Sequence, residues 1–201
     1  MKQTAPHPIE VESYRIMNAR VDLSNWPAGP RDVVARMVHA TADESFATSA
    51  RIGDEAVDAA LAALRNRAPV VVDSAMVAAG TRRIVTTCLL DDVRVAPRGS
   101  TRSATAFALA AQRHPSGALW VVGNAPTALA ELSRLHASGA LMPAAVIGLP
   151  VGYVGAAESK AALWSGPLRA ISITNVGERG GSAVAAAVLN ALLRLLEGES
   201  P

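Results

Sequence analysis

His39 is the side chain best suited to acid–base chemistry in this sequence. It stands at the end of a predicted helix, four residues before Asp43, in the segment RMVHATAD (36–43). If the helix continued for one more turn, the two side chains would be neighbours at the i, i+4 spacing. The carboxylate would then hold one ring nitrogen and raise the imidazole pKa, which favours a proton donor near neutral pH. Alternatively, Asp43 caps a helix that starts just after it, and the sequence leaves both interpretations open.

The other three histidines have simpler explanations. His7 lies in a polar N-terminal arm, whereas His114 and His136 fall in the last turns of predicted helices. A cationic side chain at a helix C-terminus interacts favourably with the helix dipole, and this explanation also applies to His39. The four histidines lack the H-x-x-x-H or H-x-H spacing of a zinc site, so the sequence predicts no metal site.

Three segments rich in glycine and hydroxyl residues could hold an anionic ligand. TRS (101–103) and GNAPTAL (123–129) each open a predicted helix, where free backbone amides attract anions, with Asn124 expected as a cap. GERGGS (177–182) adds further amides and an arginine. Helix capping alone would explain the hydroxyl groups. The ligand-binding residues predicted from these segments are Arg102, Ser103, Asn124, Thr127, Arg179, Gly180, Gly181 and Ser182.

Hydrophobic patterning predicts the elements that must position these residues. Helices are predicted over 30–39 and 48–66. Continuous apolar runs, typical of strands buried on both faces, occur over 69–73, 118–122, 144–149 and 170–174, with a weaker run over 83–89. Strands that alternate with helices indicate the α/β class, with a three-layer, doubly wound and mainly parallel sheet. We expect a single domain over 1–201 with an arm over 1–29. Ligands of such folds bind beyond the carboxyl ends of the strands, where the strand order reverses.

Composition excludes several classes of protein. Two lysines against seventeen arginines are compatible with a polyanionic small-molecule ligand, although a GC-rich genome produces the same bias. No basic run is interleaved with aromatic residues, which argues against nucleic acid, and no apolar segment is long enough to span a membrane. Cys88 is the only cysteine, so an intrachain disulfide is impossible. The G-x-S-x-G, Walker A and G-x-G-x-x-G motifs are absent. Separately, we expect a cytoplasmic enzyme.

Six segments, taken in order, resemble the precorrin-8X methylmutase family over nearly the whole chain. They are RMVHATAD (36–43), DSAMVAAG (73–80), TRSATA (101–106), GNAPTAL (123–129), GLPVGYVGAAESK (148–160) and GERGGSAVAAAVLNAL (177–192). Several motifs of this length in one order are far more specific than a single loop. One position differs, because family members often carry a basic residue where this chain has Glu178. Either Glu178 faces solvent, or this loop binds the ligand differently.

The resemblance implies an isomerase of cobalamin biosynthesis. Such an enzyme moves a methyl group from C11 to C12 of precorrin-8X to give hydrogenobyrinic acid, or performs the same step on the cobalt compound. It would need no redox cofactor and no methyl donor, because the methyl group stays on the ring. His39 would be the general acid, and the predicted ligand-binding residues would hold the ring carboxylates. The resemblance further implies a flavodoxin-like fold and a homodimer with sites near the subunit interface.

Two other functions remain open for a protein with this fold. A non-catalytic binding protein would hold the corrin and pass it between enzymes. An unrelated flavodoxin-like protein would bind phosphate or flavin instead. A flavin-binding protein would be yellow as purified, whereas a colourless protein that turns orange with hydrogenobyrinic acid would exclude that alternative.

Overall fold

A five-stranded sheet forms the centre of the fold, which is a computed structural model describing residues 7–81 and 83–198. Its strands are β1 (Ala50–Ile52), β2 (Val70–Val72), β3 (Leu119–Val122), β4 (Ala145–Gly148) and β5 (Ser172–Asn175). The spatial order is β1-β5-β4-β3-β2, with β1 antiparallel to β5 and the other neighbours parallel. β2 to β5 coincide with the four longer apolar runs, so those strand predictions are confirmed.

Helices cover both faces of this sheet. They are α1 (Pro8–Arg20), α2 (Ala28–Thr41), α3 (Phe46–Ser49), α4 (Ala56–Arg65), α5 (Ala75–Gly80), α6 (Arg102–Arg113), α7 (Pro126–Ala137), α8 (Ala156–Ser165) and α9 (Ser182–Leu196), with a short 3-10 helix at Arg169–Ile171. α1, α2, α4, α5 and α9 pack on one face, and α6, α7 and α8 pack on the other. The predicted three-layer α/β architecture with a mainly parallel sheet is therefore confirmed. Among the described helices, none combines the length and apolarity that crossing a bilayer demands.

Burial on both faces explains why the parallel strands are continuously apolar. Val70 and Val72 of β2 face one helical layer, whereas Val71 between them faces the other. On that second face, the fully buried Trp120 ring meets the edge of Phe107 with centroids 5.0 Å apart. Each large side chain buried in this way contributes about 1.5–3 kcal/mol. The buried strands thus fix the positions at which the loops of the carboxyl edge begin.

The single helix predicted over 48–66 is wrong, because the chain forms α3, β1 and α4 in this region. Gly53 is the reason that a helix cannot pass through. A Cβ atom at this position would lie 2.1 Å from the carbonyl oxygen of Arg169 and 2.4 Å from that of Ala170. The Gly53 amide also donates to the Ser172 carbonyl at 2.9 Å, which extends the pairing of β1 with β5. A long-range backbone contact therefore overrides the local helical pattern.

The weaker strand predicted over 83–89 is also wrong, because only Thr87 pairs with the sheet. Its amide donates to the Val70 carbonyl at 2.8 Å, and its carbonyl accepts from the Val72 amide at 2.9 Å. β2 is three residues long, so it offers a neighbouring segment no more than this pair of bonds. The parallel strands β2 to β5 follow one another without a reversal of order, so the strand order does not locate a binding crevice among them.

The segment predicted as an N-terminal arm is largely helical and packs on its own chain. α1 begins after His7, whose Nδ1 accepts from the Ile9 amide at 3.2 Å. Met17, Val21 and Leu23 are buried in the same cluster as α2 and α9. α1 therefore lies across α2, where it can reach side chains near the end of that helix. Residues 1–6 of the arm lie outside the described ranges.

Candidate active site

His39 lies in the last turn of α2, where a side chain of α1 covers its ring. The Tyr14 ring stacks on the imidazole with centroids 4.3 Å apart and planes 4° from parallel. Nη1 of Arg36 lies 3.4 Å from His39 Nδ1 and 3.3 Å from the Tyr14 hydroxyl. Because arginine only donates, Nδ1 acts as the acceptor and the neutral ring carries its proton on Nε2. These two neighbours fix both the plane and the tautomer of the imidazole.

The surroundings of His39 favour its uncharged form. Partial burial is the main cause that lowers the pKa of His39, and the positive charge of Arg36 lowers it further. The charge of Glu10 opposes this effect, and that of Arg194 adds to it. The expectation that Asp43 raises this pKa is therefore wrong for the free protein. A bound anion beside the imidazole would favour its charged form.

Asp43 belongs to the turn after α2 instead of orienting the imidazole. The helix ends at Thr41, and Ala42 adopts a left-handed φ of 52°, so the extra turn needed for an i, i+4 contact does not form. The Asp43 carboxylate accepts from the Ser45 amide at 3.0 Å and pairs with Arg179. Nη1 of Arg179 also donates to the Ser45 hydroxyl at 2.8 Å. The predicted orienting role does not form, and the alternative of a helix cap is wrong as well, because α3 has Ser45 at its N-cap and no side-chain cap bond; the Asp43 carboxylate closes the turn between the two helices instead.

The second half of the GERGGS loop packs against backbone, whereas Glu178 and Arg179 are exposed. A Cβ on Gly180 would lie 2.4 Å from two carbonyl oxygens of the loop after β4. The Gly181 amide donates to one of these carbonyls at 2.8 Å, and the buried Ser182 hydroxyl lies 3.1 Å from the Ser74 hydroxyl. Gly181 and Ser182 therefore hold the loop in place, and their contact with a ligand stays a prediction. Arg179 has a largely exposed side chain, which is directed toward the turn after α2.

Sequence reasoning missed Lys160, a buried cation beneath this loop. Its side chain is 1% exposed, and its Nζ donates to Asn175 Oδ1 at 3.0 Å and to the Arg179 carbonyl at 2.5 Å. Burial lowers the pKa of Lys160 to about 8, while the charge of Glu178 opposes this shift. The available signal was a lysine within the helical run GAAESKAALW, in a chain with two lysines in all.

Asp73, at the carboxyl end of β2, organises the loop after β3. Its side chain is 2% exposed and accepts from the amides of Gly123 (2.9 Å), Asn124 (2.8 Å) and Ala125 (2.7 Å). Burial raises the pKa of Asp73, and the three amide bonds oppose this shift. α7 begins at Pro126 with Ala125 at its N-cap, so Asn124 is not the cap that the sequence predicts. A carboxylate from the neighbouring strand binds these amides instead.

Thr101 and Thr127 join the N-termini of α6 and α7, because their hydroxyl oxygens lie 2.7 Å apart. Arg102 follows Thr101 but points away from this pair. Its guanidinium donates to the carbonyls of Val93 (2.7 Å) and Leu90 (3.0 Å). Arg102 therefore holds the loop over 90–93, a structural role that its helix-start position did not predict.

The sheet separates the two groups of predicted site residues. His39 lies on the face covered by α2 and α9, whereas Arg102, Ser103 and Thr127 belong to α6 and α7 on the opposite face. No hydrogen bond within residues 7–81 and 83–198 joins the two groups. A ligand that contacts both would have to cross the carboxyl edge of the sheet.

Three arginines line a cavity of about 450 Å³ on the His39 side of the sheet, namely Arg36, Arg83 and Arg194. The Glu10 carboxylate of α1 lies 3.6 Å from Nη1 of Arg36 and 3.1 Å from Nη1 of Arg194. Nε of Arg36 is buried and has no hydrogen-bond partner among the described residues. In the same ranges, no three metal-ligating side chains cluster together. Arg83 pairs with Glu197, so the three guanidinium groups meet two carboxylates, and the remaining positive charge allows the cavity to take a further anion.

Comparison with known proteins shows that this fold and its motifs belong to a class of isomerases, the methylmutases. The sequence model of the precorrin-8X methylmutase family matches residues 8–195, which extend from the start of α1 almost to the end of α9. The chain therefore belongs to the precorrin-8X methylmutase family, which provides an isomerase step of cobalamin biosynthesis.

Relatives and solved structures agree with this assignment over nearly the full chain. The precorrin-8X methylmutase of Sinorhizobium sp is 40% identical over 192 residues, covering 90% of this chain and 91% of that protein. The cobalt-precorrin-8 methylmutase of Priestia megaterium is 36% identical over 197 residues, covering 93% and 87%. The crystal structure of the Thermus thermophilus precorrin-8X methylmutase matches with a TM-score of 0.84 at 34% identity, covering 96% of this chain and 98% of that one.

Proposed function

We propose that this chain catalyses the methyl migration from C11 to C12 of precorrin-8X, or of its cobalt form, with His39 as the general acid. The fixed imidazole is the observation that carries this proposal. Tyr14 sets the plane of the ring, and Arg36 leaves the proton of the neutral ring on Nε2. A ring held in this way presents Nε2 in one direction, as proton transfer to a bound macrocycle requires.

The positive charge around the cavity supports an anionic ring as the substrate. Each carboxylate of the macrocycle can accept charge-assisted hydrogen bonds from Arg36, Arg83 or Arg194. Such a carboxylate would also counter the arginine charges that lower the pKa of His39. Substrate binding would therefore promote the protonated imidazole, which the free protein disfavours.

The reaction then needs one proton and no second substrate. In the imidazolium both ring nitrogens carry protons, so Nδ1 no longer accepts from Arg36. The imidazolium gives its Nε2 proton to the macrocycle, which makes the macrocycle electron-poor, and Nδ1 keeps its proton until the product returns one to Nε2. The methyl group leaves C11 as its bond to C12 forms, so no atom is gained or lost. The product returns a proton to His39, which restores the imidazolium for the next cycle. The names of the relatives include both the metal-free and the cobalt substrates, so both compounds should be assayed.

We further infer a homodimer in which the second copy completes the site. Several large apolar side chains stand almost fully exposed in the loops after β2 and β4, among them Val85 (92%), Val95 (85%), Tyr153 (91%) and Val154 (88%). Exposed apolar surface of this kind is typical of protein interfaces. Sedimentation velocity should give a dimer for the wild type and a monomer for Val154→Asp. A monomeric wild type at micromolar concentration would contradict this inference.

Replacement of His39 tests the catalytic proposal directly. Loss of a general acid reduces kcat by roughly 10²- to 10⁴-fold, so His39→Ala should convert precorrin-8X at most at a hundredth of the wild-type rate. His114→Ala is the matched control, because His114 also ends a helix but lies on α6. Single-turnover absorbance would follow the appearance of the orange product.

The same assay separates the alternative functions. If the His39→Ala variant converts precorrin-8X at the wild-type rate, another group gives the proton. A wild-type protein that binds hydrogenobyrinic acid but converts no precorrin-8X, with or without cobalt, would be a binding protein instead of an enzyme.

A further inference from the structure

Lys160 is a buried cation whose partners are two neutral oxygens. It lies on α8 with its Nζ 3.0 Å from Asn175 Oδ1 and 2.5 Å from the Arg179 carbonyl. Burial of an ammonium group is unfavourable even when its protons are bound, and an apolar side chain could fill the same space at less cost. The lysine at this position therefore indicates that its positive charge and its N–H groups have a function.

Asn175 strengthens the same anchor point. It ends β5, and its Nδ2 donates to the Arg179 carbonyl at 2.9 Å and to the Val176 carbonyl at 3.2 Å. On the other side of the loop, the Gly152 amide donates to the Glu178 carbonyl at 3.1 Å. The backbone of 176–179 is therefore held by side chains beneath it and by the loop after β4.

Arg179 carries this constraint across to the catalytic helix. Its side chain pairs with Asp43 and donates to Ser45, both of which lie in the turn that directly follows α2. Asp43 is four residues beyond His39. A continuous series of contacts thus leads from the ammonium group, through the Arg179 backbone and guanidinium, to the end of the helix that bears the imidazole.

We propose that Lys160 is a positioning residue, which holds the loop over 176–182 and thereby, through the Arg179–Asp43 pair, fixes the end of the helix that carries His39. This inference rests on the proposed function of His39. One alkaline step of the activity profile would then follow the loss of the ammonium proton, in addition to the step that deprotonation of the His39 imidazolium produces. A neutral amine donates weaker hydrogen bonds than an ammonium group, so the loop would be held less firmly.

The charged groups around Lys160 affect the pH at which it loses its proton. Burial lowers the pKa of Lys160 to about 8, and Glu178 in the loop above opposes that shift. Arg179 presents its carbonyl to the lysine while its guanidinium points to Asp43. On the other elements packed against α8, Glu131 and Arg134 of α7 pair with each other, and Arg169 of the 3-10 helix stacks on Trp164.

A first experiment measures the lysine itself without any turnover. The chain contains two lysines, Lys2 and Lys160, so protein labelled with ¹³C-lysine gives two side-chain signals. Lys160→Met removes one of them and so assigns both. We expect the Lys160 signal to titrate near pH 8. In the same Met variant, the His39 ring resonances should shift while those of His114 stay in place.

A second experiment links the lysine to the pH profile. In the wild type, kcat should fall above about pH 8 while KM changes less. In Lys160→Met, kcat should be at least about tenfold lower and its pH profile should lose the step near pH 8, because a methionine cannot titrate; the fall in kcat caused by deprotonation of the His39 imidazolium should remain in both proteins. Glu178→Gln removes the opposing charge, so it should move both the Lys160 titration and this step of kcat to lower pH.

The outcomes separate the two proposals. If the wild type and Lys160→Met have the same kcat and the same pH profile, the positioning role is wrong although the enzyme is active. The role is equally wrong if Glu178→Gln moves the lysine titration and leaves the kcat step where it was. If the wild type converts no substrate, the proposed function fails, and unchanged His39 resonances in Lys160→Met would then also reject the positioning role.

Discussion

Asp73→Ala should destabilise the fold because it removes one acceptor from three backbone amides at once. The amides of Gly123, Asn124 and Ala125 all donate to this buried carboxylate at 2.7–2.9 Å. A buried donor without a partner costs about 1–3 kcal/mol, and only the Gly123 amide of the three is fully buried, so we expect a total loss of about 3–5 kcal/mol. With an m-value of about 2–3 kcal/mol/M in urea, the unfolding midpoint should fall by about 1–2.5 M.

Asp54→Ala is the matched control for this measurement, because Asp54 is an exposed aspartate in the turn before α4. Its free energy of unfolding should stay within about 0.5 kcal/mol of the wild-type value, as is usual for surface substitutions. Equal midpoints for the two variants would refute the reasoning. They would mean that water satisfies the three amides as well as the carboxylate does.

Three further predictions concern Tyr14, Gly180 and the pKa of His39. Tyr14→Leu should lower kcat by about tenfold, since the plane of the His39 ring is no longer fixed, whereas Val11→Ala, at an exposed position of the same helix, should leave kcat within about twofold. Gly180→Ala should lower the free energy of unfolding by about 1–3 kcal/mol, because its Cβ would meet two carbonyl oxygens at 2.4 Å; a urea midpoint equal to the wild type would contradict this. An NMR titration of free wild-type protein should show a pKa of His39 below the ordinary histidine value, and hydrogenobyrinic acid should raise it; an unchanged pKa would reject the role given to the ring carboxylates.

Local pattern was enough to predict the parallel strands but not the whole sheet. β2 to β5 lie in apolar runs that are buried on both faces, and such runs have few alternatives in an α/β chain. β1 carries the charged Arg51 and continues a helical pattern, so nothing local distinguishes it from the helix that follows. What decides it is Gly53, which meets backbone from residues 169–170, more than one hundred positions later.

The candidate site was even harder to predict from local sequence than the sheet. His39 was found because its residue type and helix-end position are visible in the sequence, and its catalytic role stays a prediction. The partner assigned to it was wrong, because Asp43 is bound by Arg179, which is 136 residues away. Arg102 was likewise given a ligand, although the carbonyls of Leu90 and Val93 already bind it. Spacing within one segment cannot report such long-range partners, and a buried lysine such as Lys160 leaves almost no local trace.

Glu10 gives the arginine cavity an internal carboxylate before any ligand arrives. It lies within 3.6 Å of Arg36 and 3.1 Å of Arg194, so these guanidinium groups are already partly neutralised. A ring carboxylate that enters beside them would take over contacts from Glu10 and would displace few solution ions. The affinity for the macrocycle should consequently depend only weakly on ionic strength, even though the cavity is built from arginines.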